Sequence, residues 1–68
     1  MNKTLGERLK YALDIRHIKQ VDFARSVGIT PATLNRYIKD ERQPNAEYII
    51  IICKSLGISS DWLLGILD

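Results

Sequence analysis

Residues 20–39 read QVDFARSVGITPATLNRYIK, and this segment is the most informative part of the chain. Residues 20–27 predict a short helix, which Gly28 ends because glycine tolerates the positive φ found after a helix C-terminus. Thr30 is a good N-cap for a second helix over residues 31–39, and Pro31 suits its first position, where a missing N–H costs nothing. Two short helices joined by three residues predict a helix-turn-helix.

The residue types within this motif satisfy demanding packing constraints. Ala24 is small where the two helices must cross closely, and Gly28 supplies the sharp turn. The apolar residues expected to hold the two helices together are Phe23, Val27, Ile29, Leu34 and Tyr37. A chance match at all of these positions is improbable, so the motif is a specific signal.

The second helix of the motif has two unlike faces. At about 100° per residue, Leu34, Tyr37 and Ile38 share one side, which predicts burial. The opposite side carries an amide, a guanidinium, an ammonium and small groups, and it has no acid: Ala32, Asn35, Arg36 and Lys39, with Thr33 at its edge. A guanidinium can bridge two guanine acceptors, an amide can pair with adenine, and small apolar groups can touch a thymine methyl. A solvated helix face is the plainer interpretation of the same residues.

Three further positions are suited to holding a DNA backbone. Gln20 opens the first helix of the motif, where the side chain and the helix amides can bind a phosphate. Arg42 and the helix start at Asn45 are expected to lie near the same backbone. Asp40 and Glu41 would repel phosphate there, so we expect both side chains to point away into solvent.

The rest of the chain predicts three more helices. Thr4 and Glu7 form a capping box for a helix from about Leu5 to Arg16. A fourth helix follows Pro44, with Asn45 as its N-cap and Gly57 as its stop, and a short fifth helix covers about residues 60–64. The residues of the fourth helix expected in the core are Ile49, Ile52, Cys53 and Leu56. In the fifth helix, Trp62 and Leu63 are expected to be buried. The chain is therefore predicted to be all-α, with residues 1–68 forming one domain.

Composition and charge exclude several classes of protein. The apolar content of 46% is that of a folded chain, and no apolar run approaches the roughly 18 residues that a membrane span needs. Residues 1–44 hold nine Lys/Arg against five Asp/Glu, which suits a domain with one basic face. There is no signal peptide and only one cysteine, so we expect a cytoplasmic protein without a disulfide.

Candidate catalytic and metal-binding residues are few. His17 has no cysteine or acid at metal or nucleophile spacing, and Cys53 falls in a core stripe, where a small buried hydrophobe is expected. We therefore expect no enzyme activity, no metal and no cofactor. A chain of 68 residues also lacks room for a separate ligand domain, so no small-molecule ligand is expected.

The sequence resembles the phage Cro and repressor type (XRE-like) of helix-turn-helix regulators over nearly its whole length. The resemblance is carried by Glu7-Arg8-Leu9, Gln20, Phe23-Ala24, Val27-Gly28-Ile29-Thr30, Thr33-Leu34, Arg36, Arg42, Pro44, Leu56-Gly57-Ile58-Ser59 and Asp61-Trp62-Leu63-Leu64-Gly65. It implies a compact five-helix, lambda-repressor-like domain that binds operator DNA as a two-fold dimer. It also implies that Gln20, Pro31, Ala32, Thr33, Asn35 and Arg36 lie at the DNA.

The chain departs from that family's pattern at three places. Leu13 and Ile38 stand where many members pair an arginine with a glutamate, so an apolar contact is expected instead of a buried ion pair. Asp40 and His17 each replace a common glycine. Pro31 and Ala32 stand where long polar side chains are frequent, so Arg36 and Asn35 would carry more of the base recognition.

These arguments predict a DNA-binding transcriptional regulator, a repressor that acts on a pseudo-palindromic operator. The full set of expected DNA-binding residues is Gln20, Thr30, Pro31, Ala32, Thr33, Asn35, Arg36, Lys39, Arg42 and Asn45. Apolar residues beyond the core suggest a homodimer contact formed by Tyr48, Ile51, Leu64, Ile66 and Leu67, although packing of the C-terminal tail would also account for them. The alternative is a protein-interaction module, such as an antitoxin or adaptor, on the same fold.

Overall fold

The computed structural model describes residues 3–67, so the two ends of the expected domain, residues 1–2 and 68, lie outside it. Within residues 3–67 the chain forms five helices and no strand: α1 (Leu5–Ile15), α2 (Gln20–Val27), α3 (Pro31–Ile38), α4 (Ala46–Leu56) and α5 (Ser60–Leu64). The all-α, five-helix prediction is confirmed. α1 and α3 each end one residue earlier than expected, because Arg16 and Lys39 are their C-caps.

The predicted signals at the helix ends are present. Thr4 accepts a hydrogen bond from the Glu7 N–H at 3.1 Å, and the Glu7 carboxylate accepts one from the Thr4 N–H at 2.9 Å, which completes the capping box. Gly28, Gly57 and Gly65 each lie directly after a helix and have a positive φ. These caps satisfy N–H and C=O groups that a short helix would otherwise leave without partners.

One apolar core joins the five helices. α3 packs against α1 and α2, and α5 packs against α1 and α4. Ala24 is fully buried, as the close crossing of α2 and α3 requires, and Leu13 and Ile38 both lie in the core. The buried apolar residues are Leu9, Ala12, Leu13, Phe23, Ala24, Val27, Leu34, Tyr37, Ile38, Ile52, Cys53, Leu56 and Leu63. Trp62 and Ile49 are less buried than predicted, since both are only half-buried at the edge of this core.

The segment after α5 folds back onto α1. The N–H groups of Ile66 and Leu67 donate to the Asp61 carbonyl at 2.8 and 3.1 Å. Arg8, which is buried, lies with its guanidinium carbon 5.4 Å from the centre of the Trp62 ring, and its Nη1 is 3.5 Å from the Leu67 carbonyl. Sequence reasoning did not assign Arg8 this role. None of the described helices is both long and apolar enough to cross a membrane.

Candidate nucleic-acid interface

The outward face of α3 stands clear of the core. Leu34, Tyr37 and Ile38 are buried beneath it. Ala32, Arg36 and Lys39 are exposed, and Asn35 is half-buried beside them. Pro31 is exposed and Thr33 is half-buried at the start of the helix. This is the arrangement a groove-reading helix needs, because its polar groups are held by a buried opposite face.

The first turn of α3 is fixed by hydroxyl groups. The Thr30 Oγ1 accepts a hydrogen bond from the Thr33 N–H at 3.1 Å, and the two threonine Oγ1 atoms are 2.9 Å apart. Both side chains therefore hold the helix start, and any contact with a ligand would be additional to that role.

The start of α2 differs from the starts of the other four helices. Its N-cap residue, Lys19, makes no side-chain capping hydrogen bond, whereas Thr4, Thr30, Asn45 and Ser59 all cap their helices. The first-turn amides of α2 thus have no side-chain cap, and the half-buried Gln20 and the exposed Asp22 lie in the same turn. Sequence reasoning did not consider Lys19, which is exposed at this helix start. Lysine is a poor N-cap residue, and its place before Gln20 was the available signal that α2 begins without a side-chain cap.

The loop after α3 carries the remaining expected residues. The Glu41 and Arg42 N–H groups lie 2.9 and 3.4 Å from the Arg36 carbonyl, which closes the end of the helix. Arg42 is exposed. Asn45 is also exposed, but its side-chain oxygen accepts a hydrogen bond from the Tyr48 N–H at 2.9 Å, so its primary role is to cap α4.

Asp40 is exposed, as expected, but its carboxylate is not free in solvent. Its carboxylate accepts a hydrogen bond from the Thr4 hydroxyl at 2.6 Å and another from the Gly6 N–H at 3.0 Å. We call these three residues the α1–α3 clasp. The carboxylate is thereby held at the N-terminus of α1, where the helix dipole stabilises negative charge. Glu41 is exposed, as expected.

The cationic groups of this face are available for a ligand. Among residues 3–67, none of the acidic side chains forms an ion pair with Arg36, Lys39 or Arg42. The Lys10–Asp14 pair, at 2.7 Å, lies on α1. Cationic heads without an acidic partner on and after one helix can attract phosphate.

The residues expected at a dimer contact fall into two groups. Leu64, Ile66 and Leu67 are exposed, and Ile66 keeps 69% of its surface accessible. Tyr48 and Ile51 are half-buried, and Ile51 packs against the core. Exposed apolar residues that sequence reasoning did not single out are Tyr11, Ile15, Val21 and Ile50.

Two of those missed residues line an apolar groove. Tyr11 and Ile15 face Ile58 and Trp62 across an opening of about 310 Å³ between α1 and the start of α5. The ring centres of Tyr11 and Trp62 are 6.3 Å apart. The spacing of four residues between Tyr11 and Ile15 was the available signal, because it places both on one face of α1.

His17 and Cys53 have structural roles. His17 adopts a φ of 56° directly after α1, which explains why glycine is common there. Cys53 is buried in the core, and this burial raises the pKa of its thiol by desolvation. A raised pKa leaves less thiolate, which lowers the reactivity of this cysteine.

Comparison with known proteins agrees with this geometry. The chain matches the helix-turn-helix family over residues 9–63. It is 28% identical over 60 residues to repressor protein C2 of Salmonella phage P22, which covers 88% of this chain and 28% of that relative. It is 34% identical over 62 residues to repressor protein CI of Enterobacteria phage phi80, which covers 91% of this chain and 26% of that relative. The chain thus spans about a quarter of the length of these curated relatives.

Solved structures show the same fold. The P22 c2 repressor in complex with a synthetic operator superposes with a TM-score of 0.86 at 27% identity, covering 91% of this chain and 94% of that chain. The solution structure of the P22 c2 DNA-binding domain gives a TM-score of 0.88 at 26% identity, covering 96% of this chain and 86% of that chain. By sequence and by fold, this chain belongs to the helix-turn-helix family.

Proposed function

We propose that this chain binds double-stranded DNA in a sequence-specific manner by laying α3 into the major groove. The observation that carries the proposal is the outward face of α3, where Arg36 and Lys39 are exposed above a buried inner face. The P22 c2 repressor, which has a similar fold, is bound to a synthetic operator in its solved structure. That likeness supports the same use of the surface here.

The residues of the face have separate roles in this proposal. Arg36 donates to a guanine and Asn35 pairs with an adenine, while Ala32 and the Thr33 methyl contact thymine methyl groups. Pro31 and Thr30 bring the helix start close to the DNA. Phosphates are held by Gln20 with the uncapped amides of α2, by Lys39 and Arg42, and by the α4 start at Asn45.

Base reading by Arg36 is tested with duplexes selected by the protein from a random-sequence pool. We expect Arg36→Ala to weaken binding to the selected duplex by roughly 1–3 kcal/mol and to relax discrimination at one position. The matched control is Arg25→Ala, which removes the same charge from an exposed site on α2. Titrations by mobility shift, with and without random competitor DNA, measure both quantities.

Two outcomes would contradict the proposal. Equal effects of Arg36→Ala and Arg25→Ala would show that Arg36 contributes only its positive charge and does not read a base. If the unaltered protein formed no competitor-resistant complex at low salt, sequence-specific DNA binding would be refuted. That second outcome would favour a protein-interaction module, for which the exposed groove beside Tyr11 and Ile15 is the available surface.

The proposal extends to a repressor that acts in the cytoplasm of a prokaryotic cell or phage-infected host. It would bind a pseudo-palindromic operator as a homodimer, with half-sites about one helical turn apart. The residues proposed for the dimer contact remain Tyr48, Ile51, Leu64, Ile66 and Leu67. Exposed leucine and isoleucine side chains after α5 favour it, because burying them against a second copy removes apolar surface from water.

The dimer contact is tested by Ile66→Glu, with Ile15→Glu as its matched control. Both isoleucines are more than half exposed, and they lie on different elements, the C-terminal tail and α1. We expect Ile66→Glu to shift sedimentation equilibrium to the monomer, while Ile15→Glu leaves the dimer intact. Dissociation by Ile15→Glu alone would move the contact to the α1 groove, and a monomeric parent protein would refute the dimer.

A further inference from the structure

The end of α3 contains a residue that its backbone does not favour. Asp40 has a φ of 59°, and its N–H lies 3.2 Å from the Tyr37 carbonyl, while the Glu41 N–H donates to the Arg36 carbonyl. These two bonds are those of a helix end with a left-handed residue directly after the C-cap, a position where glycine is the usual choice. An aspartate here costs conformational energy that glycine would not.

The side chain of Asp40 supplies what glycine lacks. Its two oxygens accept hydrogen bonds from the Thr4 hydroxyl and the Gly6 N–H, which belong to the N-cap and first turn of α1. Hydrogen bonds to a charged acceptor are about twice as strong as neutral ones, so they offset the cost of the positive φ. The carboxylate therefore connects the end of α3 to the start of α1, and the bond from Gly6 to Asp40 spans 34 residues of sequence.

Gly6 brings the two helices into direct backbone contact at the same place. A Cβ atom built on Gly6 would lie 2.3 Å from the Ile38 carbonyl oxygen and 2.6 Å from that of Tyr37. The first turn of α1 thus rests on the last carbonyls of α3. The clasp and this contact together restrict how the end of α3 can move.

The restricted segment is the one that carries the cationic groups. Arg36 lies one turn before Asp40, Lys39 directly precedes it, and Arg42 follows it by two residues. Phosphate contacts set the register of a protein on DNA, and base contacts are made only if that register is correct. A fixed α3 end therefore fixes the position of Lys39 and Arg42 relative to Arg36.

We infer that Asp40 is a positioning residue for DNA reading, and that sequence discrimination depends on its clasp. This inference rests on the proposed function. Non-specific affinity depends mainly on the number of phosphate charges neutralised, which is indifferent to register. Loss of the clasp therefore lowers the preference for the selected duplex and leaves non-specific binding almost unchanged.

The test uses two variants with the same charge, Asp40→Gly and Asp40→Asn. Glycine accepts the positive φ and keeps the helix end, but it has no side chain for the clasp. Asparagine also tolerates this φ, and its amide can accept from the Gly6 N–H and donate to the Thr4 hydroxyl. Since both remove one negative charge, a difference between them in the affinity ratio is not an effect of charge.

We expect Asp40→Gly to lower the ratio of affinities for selected and random duplexes by about tenfold, and Asp40→Asn to restore most of that ratio. Affinity for the random duplex and its salt dependence should be equal in the two variants. Hydrogen exchange at the Gly6 amide should be faster in Asp40→Gly than in Asp40→Asn. Thermal unfolding of each variant fixes a temperature at which all are folded.

The outcomes separate this inference from the function it rests on. If the parent protein shows no preference for any selected duplex, the proposed function fails and the inference fails with it. If the parent protein discriminates and the two variants discriminate equally well, DNA reading stands and the positioning role of Asp40 is refuted. Faster Gly6 exchange without a change in the affinity ratio would make the clasp purely structural.

Discussion

The starts of α1 and α2 are built in opposite ways. At α1 the Thr4 N–H, the Gly6 N–H and the Glu7 N–H all have side-chain acceptors, two of them carboxylates. At α2 no side chain caps the helix, and an exposed lysine occupies the N-cap position. A helix N-terminus attracts anions unless the protein supplies its own. The comparison indicates that α1 uses this attraction to hold α3, whereas α2 has Asp22 in its first turn but no side-chain cap, which leaves amides that we propose for a DNA phosphate.

Among changes at these two helix starts, Gly6→Ala is expected to have the largest effect on the free energy of unfolding. In a helix without constraints, this change would stabilise the protein by roughly 0.5–1 kcal/mol. Here the new methyl group would collide with two backbone carbonyls of α3, so we expect a loss of about 3 kcal/mol. Urea unfolding followed by circular dichroism measures the difference. A gain in stability would show that α1 and α3 are not in contact at this point.

A smaller loss is expected from Thr4→Ala. The hydroxyl of Thr4 accepts from the Glu7 N–H and donates to Asp40, so its removal takes away a cap and one bond of the clasp. We expect a loss of about 2 kcal/mol in the free energy of unfolding. Thr4→Ser is the matched control, because it keeps the hydroxyl and should behave like the parent protein. Equal losses in both variants would assign the effect to the methyl group.

Much of this architecture could be predicted from the sequence because local signals decide it. The caps at Thr4, Thr30, Asn45 and Ser59 and the stops at Gly28, Gly57 and Gly65 place the helix ends. Each acts over a few residues, which is the range a sequence pattern covers. The two faces of α3 follow from helical periodicity alone.

Contacts between distant segments could not be predicted in the same way. The bond from Gly6 to Asp40 and the contact of Arg8 with Leu67 join residues 34 and 59 positions apart. No periodicity or cap preference encodes such a pairing, and Asp40 therefore looked like an exposed acid in a basic loop. Its replacement of a common glycine was the one signal that a compensating contact existed.

The smallest effect, and the one that tests the start of α2, is expected from Lys19→Ser. The backbone of Lys19 already has the extended conformation of an N-cap, so a serine hydroxyl can cap α2 and stabilise the fold by about 1 kcal/mol. The same hydroxyl would occupy an amide that we propose for a phosphate, so DNA affinity should fall although stability rises.

The matched control is Lys19→Ala, which removes the charge and adds no cap. Both variants lose one cation, so the lower affinity of the serine variant relative to the alanine variant, about threefold, isolates the amides themselves. Fluorescence anisotropy on a random duplex measures it, since phosphate binding is independent of sequence. If the serine variant is more stable and binds DNA as well as the alanine variant does, the open start of α2 does not serve DNA. The contrast with α1 would then be one of stability alone.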